Sequence, residues 1–193
     1  MKRKGLWITL GVILLIIIII VASVVSGYNG LVSAEEQVNT QKSNIQTQLQ
    51  RRADLVPNLV ATVQGYATHE EEIFTAVADA RAKLAGATAS GDVSEMDAAN
   101  TELSSALSRL LVVVENYPDL KANQNFINLQ DELAGTENRI TVARKDYNEA
   151  AQTFNRKVRS FPGNIWAALF GFESVDYFEA SDSAQQTPTV SFE

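Results

Sequence analysis

The chain has 193 residues, no cysteine and a formal net charge of −7. That composition excludes structural disulfides, cysteine-ligated metal and a cysteine-linked lipid anchor, and its acidic balance disfavours nucleic acid and anionic lipid surfaces as partners.

The charge is unevenly placed. Lys2, Arg3 and Lys4 open the chain, and the next charged residue is Glu35. Between them, from about Leu6 to Val25, lies an apolar stretch of roughly 20 residues that reads as a membrane span. A signal peptide has a similar basic start, but its apolar region is shorter and ends in a small-x-small site. The run Val21 to Gly27 is a poor cleavage site, so an uncleaved anchor is expected. Basic residues beside a span stay cytoplasmic, and the first one after it is Lys42. The N-terminus is therefore expected in the cytoplasm, with the remainder in the periplasm or outside the cell. Of the 16 basic residues, 13 follow the span against 23 acidic ones, so that part carries −10.

Beyond Gly27 apolar residues recur at helical spacing. Leu31, Val38, Ile45, Leu59 and Tyr66 share one heptad column, with Arg52 in the remaining place, and Leu49, Val56 and Val63 form a neighbouring column. A helix over about 28–65 is predicted, kinked near Val56 because Pro57 lacks an amide donor. Thr68 and Glu71 have capping-box spacing, and a second helix follows to about Ala85 on Ile73, Val77, Ala80 and Leu84. Residues 86–91 read as a turn. A third helix starts near Asp92 or Ser94, buries Met96, Ala99, Leu103, Ala106, Leu110, Val114 and Tyr117, and ends at Pro118. The fourth is expected over about 120–160, stopped by Pro162 and Gly163.

The predicted fold is all-α: an N-terminal transmembrane helix followed by an antiparallel four-helix bundle with long first and fourth helices. The expected partition is a basic N-terminus at 1–5, an anchor at 6–26, the bundle at 28–160, an aromatic membrane-proximal segment at 161–180 and a polar tail at 181–193. The first and fourth helices would each be about 60 Å long, against about 27 and 37 Å for the other two. Only two helices would then reach the membrane-proximal base, too few to enclose Leu31, Val38, Ile45, Tyr147, Phe154 and Val158. Other subunits are expected to cover them; the alternative is an ordinary two-stranded coiled coil. Trp166, Phe170 and Phe172 follow the fourth helix, either as aromatic residues at the membrane interface or as a cap on the core.

Arg52 stands 24 positions beyond Tyr28, and Glu137 stands 24 positions before Phe161. An antiparallel pair places them level, where an ion pair would fix the register of the two long helices. The alternative is an arginine whose stem packs while its head reaches solvent. His69 stands beside Glu70, Glu71 and Glu72, with Glu115 expected at the same end of the bundle. One histidine is too few for a zincin or di-iron pattern, and the acids suit a helix N-terminus. No metal, cofactor or catalytic residue is assigned.

Several motifs closely resemble those of the LemA family: Tyr28-Asn29, then 49–60 as LQRRADLVPNLV, Gly65-Tyr66-Ala67, His69-Glu70 and Ala80-Arg81. The likeness continues through 115–123 as ENYPDLKAN, 136–140 as TENRI, Arg144, Tyr147-Asn148, Phe154-Asn155, Phe161-Pro162, Phe170-Gly171-Phe172 and Phe178. It spans about 28–192 and departs at Lys42, where the family usually has tryptophan. The resemblance implies a bacterial single-span membrane protein with a four-helix domain and no established reaction. The expected function is a non-enzymatic scaffold that assembles laterally into homo-oligomers at the bilayer and could shape the membrane. The alternative is an accessory or adaptor subunit docked on another membrane protein, such as a sensor or protease. An enzyme using His69 with nearby carboxylates ranks last.

Overall fold

The computed structural model describes residues 2–67 and 69–179, with side chains from Trp7 onward. The elements are α1 (Lys2–Gln64), α2 (Glu71–Ser90), α3 (Val93–Val114), α4 (Pro118–Lys121), α5 (Gln124–Arg159) and α6 (Gly163–Phe170), and no strand occurs among the described residues. The expected capping box involves Thr68, which lies outside the described residues, as does the tail at 181–193.

The apolar stretch and the first predicted helix are continuous: α1 passes through Gly27, Gly30 and Pro57. A glycine costs a helix only about 1 kcal/mol relative to alanine. Pro57 removes a backbone donor and so strips Ala53, four residues earlier, of its helical hydrogen bond. Arg81 on α2 replaces it, its Nε donating to the Ala53 carbonyl at 2.8 Å. The helix thus passes through its proline with that acceptor satisfied from a neighbour.

The expected turn at 86–91 is mostly helix. Ala87 and Thr88 are buried, and the Thr88 hydroxyl donates to the Leu84 carbonyl at 2.7 Å. Gln46 Nε2 donates to the Thr88 carbonyl at 2.8 Å. Tertiary contact therefore overrides the small, polar composition of this stretch. The turn contracts to Gly91, at φ 71°, and Asp92, whose carboxylate accepts from the Glu95 amide at 2.8 Å to cap α3. Similarly, α5 starts at Gln124 rather than near Leu120, because the Asn123 side chain accepts from the amides of Asn125 and Phe126.

The chain divides into two compact units. The first holds α1 up to Thr40, α5 from Glu149, α6 and the chain to Val175. Its core includes Leu31, Val38, Phe154 and Ala167, with the Tyr28 ring edge-on to Phe170 and Phe172 at 4.9 and 5.9 Å. Phe172 also meets Phe154 at 6.4 Å. The apolar stretch of α1 stays uncovered, with Ile16 to Ile20 each at least half exposed.

The second unit holds α1 from Gln41, α2, α3, α4 and α5 to Asn148, together with the described chain from Asp176 to Glu179. Its core includes Ile45, Leu49, Leu59, Leu84, Leu103, Leu110, Phe126 and Tyr147. α2 and α3 pack along one another.

The expectation that neighbouring subunits must cover the base is corrected. Leu31, Val38, Ile45, Tyr147 and Phe154 are each 3% exposed or less within the single chain, and Val158 is half-buried. The cover comes from chain beyond α5, which a count of two helices at the base leaves out. In the first unit α6 and Phe172 close over α1 and α5. In the second, Phe178 stands edge-on to Tyr147 at 5.3 Å.

Each unit holds its part of this closing segment through one asparagine of α5. Asn155 Nδ2 donates to the Val175 carbonyl at 2.8 Å and its Oδ1 accepts from the Val175 amide at 2.9 Å. Asn148 does the same with Phe178, at 2.9 and 3.0 Å.

The Pro57–Arg81 relationship predicts non-additive stability. Arg81→Ala should lose about 1–3 kcal/mol, the usual penalty for an orphaned buried acceptor. In a Pro57→Ala background the restored amide can bond Ala53, so the same substitution should cost much less. Urea unfolding of the four members of the cycle reads this, and strictly additive losses would refute it.

Candidate functional site

The heptad column that carries Arg52 points it into the second unit, where the residue is 6% exposed. A guanidinium stays charged and offers five donors. α3 and α5 supply the acceptors: Nη1 lies 2.6 Å from Glu137 Oε2 and also donates to Asn100 Oδ1, while Nη2 donates to Ser104 Oγ at 3.0 Å. Asn100 is itself 2% exposed. Arg52 Nε has no hydrogen-bond partner. Burial lowers the Arg52 pKa; the Glu137 carboxylate opposes that shift and the Arg144 charge adds to it.

A second pair stands one heptad further along α5. Arg144 Nη1 meets Asp97 Oδ1 of α3 at 2.8 Å, and the Phe178 ring lies over the guanidinium at 5.3 Å. Asp97, Asn100 and Ser104 thus form a polar stripe beside the apolar positions of α3. Sequence pattern alone does not single them out, although Asn100 and Ser104, four apart and next to Ala99 and Leu103, mark a polar edge on a buried face. Closer to solvent, Arg51 pairs with Glu132 at 2.7 Å. An open cleft of about 610 Å³ adjoins Arg52, lined by Leu59, Ser104, Leu107, Leu111, Leu133 and Glu137, among others.

His69 and Glu115 are exposed and Glu70 is half-buried; among the described residues no group of three His, Cys, Asp or Glu side chains is placed to hold a metal ion.

The aromatic residues of the first unit differ in how far they are buried. Trp166 is half-buried against α1, where a Cβ on Gly27 would run into the indole ring, and Phe172 is half-buried on Tyr28 and Phe154. Phe170 meets Tyr28 yet is 43% exposed. The outward apolar residues are others: Phe161 at 81%, Leu169 at 65% and Ile165 at 47%.

Tyr147 is 2% exposed, and its hydroxyl donates to the Asp176 carbonyl at 3.0 Å. Burial, aided by the Asp176 charge, pushes its pKa up to about 12.

Comparison with known proteins places the sequence in a group. The model of the LemA family matches residues 41–192. Magnetosome protein MamQ 2 of Paramagnetospirillum magneticum is 28% identical over 193 residues, covering 88% of this chain and 71% of that protein. Magnetosome protein MamQ of Magnetospirillum gryphiswaldense is 25% identical over 216 residues, covering 98% and 79%. Protein LemA of Metamycoplasma hominis is 26% identical over 154 residues, covering 80% and 69%.

Two measurements test the site. Arg52→Leu strands Asn100 in the core and unpairs Glu137, so urea unfolding should register a loss of about 3–5 kcal/mol. Adding Asn100→Leu should recover part of it; no loss in the single variant would refute a structural role. For Tyr147, the folded state keeps its proton where an unfolded chain, with the ordinary value near 10, gives it up. Its contribution is therefore complete below about pH 10 and disappears as pH rises to about 12. Over that window the stability of Tyr147→Phe should fall less steeply than that of the parent, and equal slopes would contradict the shift.

Proposed function

The chain belongs to the LemA family, and from that premise we propose that it is a membrane-anchored, non-enzymatic helical scaffold. The observation that carries the reading is the apolar stretch of α1, long and apolar enough to cross a membrane and with none of its described side chains buried. Lys2, Arg3 and Lys4 favour a cytoplasmic N-terminus, and one candidate span among the described residues favours a single pass. The matched relatives carry names that designate no reaction.

Within the second unit we assign an antiparallel four-helix bundle of α1, α2, α3 and α5. Contacts of α1 with each of the others support it: Arg81 on α2, Asn100 and Ser104 on α3, Glu132 and Glu137 on α5. The two-residue connection from α2 to α3 favours antiparallel neighbours.

The scaffold works by lateral association of copies. Confinement to a plane raises effective concentration, so weak contacts suffice. With the base closed internally, we assign the contact to exposed apolar positions, first among them Leu111 and Val112 on α3, 38% and 68% exposed. The open cleft beside Arg52 favours a second reading, an adaptor that receives another membrane protein.

Native mass spectrometry of the chain extracted in mild detergent separates the two. The scaffold reading expects homo-oligomers that fall to monomers in Val112→Glu. Monomers at every concentration, co-purifying with one different protein, would replace it with the adaptor reading.

A further inference from the structure

The first unit contains a second cavity, of about 440 Å³, where the apolar stretch of α1 ends. Ser23, Ser26 and Gly27 of α1 form one side, and Lys157, Ser160 and Trp166 form the other. Trp166 Nε1 is buried without a hydrogen-bond partner, which is unusual for an indole donor. Lys157 Nζ donates to the Gly30 carbonyl at 2.9 Å, and an ammonium has three donors. Two remain for a ligand.

The net charge of −7 argues against an anionic ligand, but charge acts over about a Debye length, roughly 8 Å in physiological salt. Locally the sign reverses. Between residues 150 and 172 the chain carries Arg156, Lys157 and Arg159 and no acid, and α1 carries no charge from Gly5 to Ala34. Phe161, which lines the cavity, is 81% exposed. Apolar surface also turns outward at Ile165 and Leu169 of α6, next in sequence to the lining residue Trp166 or one turn on, and at Val25 of α1, between the lining residues Ser23 and Ser26. A cationic, hydroxyl-lined cavity rimmed by exposed apolar residues matches a phosphodiester headgroup with acyl chains attached.

We propose that this cavity binds the headgroup of an anionic phospholipid, with Lys157 on the phosphate. The proposal rests on the membrane-anchored reading and adds a lipid preference to it. Trp166 forms the wall, Gly27 admits its ring, and the apolar side chains of α6 accompany the acyl chains.

The sequence has two tryptophans, Trp7 and Trp166, so a Trp7→Phe chain reports from Trp166 alone. In mild detergent this full-length chain is titrated with short-chain phosphatidylglycerol, short-chain phosphatidylcholine and inorganic phosphate while Trp166 emission is followed. Saturable binding of phosphatidylglycerol is expected, weakened about tenfold by Lys157→Gln, as loss of one charge-assisted hydrogen bond implies, and retained in Lys157→Arg. Equal binding of the two lipids, or no effect of Lys157→Gln, overturns the proposal. Inorganic phosphate competing as well as the lipid overturns the lipid assignment in favour of free phosphate. Alkaline carbonate extraction of membranes checks the anchor separately: release of the chain refutes anchoring, whereas a retained chain without lipid preference refutes only the headgroup site.

Discussion

A guanidinium under apolar cover has to meet acceptors on several helices at once, because it cannot shed its charge. Arg52 meets them on α3 and α5, which fixes how α1 is rotated and how far it is shifted against both. The adjacent residue does the same with α2, since the Ala53 carbonyl, stripped of its helical donor by Pro57, accepts from Arg81. Two consecutive positions of α1 therefore tie it to three other helices of the second unit. Apolar packing tolerates sliding by a turn, whereas directed polar contacts do not. The register of the unit follows from this pair of positions.

Much of this was legible. A charge in a column of Leu, Val, Ile and Tyr marked Arg52, and counting along two helices placed Glu137 level with it, where the pair stands at 2.6 Å. Acceptors on α3 were harder to see, because Asn100 and Ser104 lie at the edge of a buried stripe and small polar residues there also suit solvent. Pro57 read as a defect in its own helix. Its compensation comes from a residue 28 positions away, and nothing local to the proline announces it. The stretch 86–91 shows the opposite failure: its composition suggested a turn, but burial of Ala87 and Thr88 holds it helical.

The closure of the base was missed for a physical reason. Counting helices and comparing their lengths treats everything after α5 as tail, yet α6 and the extended chain to Glu179 bring aromatic side chains onto Tyr28, Tyr147 and Phe154. Non-periodic segments give no hydrophobic pattern to read, and their value as cover shows only in three dimensions. Charge behaves likewise: the balance of the whole chain is acidic, while the stretch 150–172 that carries Lys157 has three basic residues and no acid.

Asn148 and Asn155 address main-chain atoms of the extended segment, one amide and one carbonyl each, so most side chains there are not part of what is recognised. Phe172 and Phe178 are the exceptions, packed on Tyr28 and Phe154 and on Tyr147, while Glu173, Ser174 and Tyr177 are exposed. Substitution at those three positions is thereby uncoupled from docking of the segment. The same freedom makes them suitable places to install an epitope or a fluorophore, giving a reporter attached close to the body without disturbing how the segment is held.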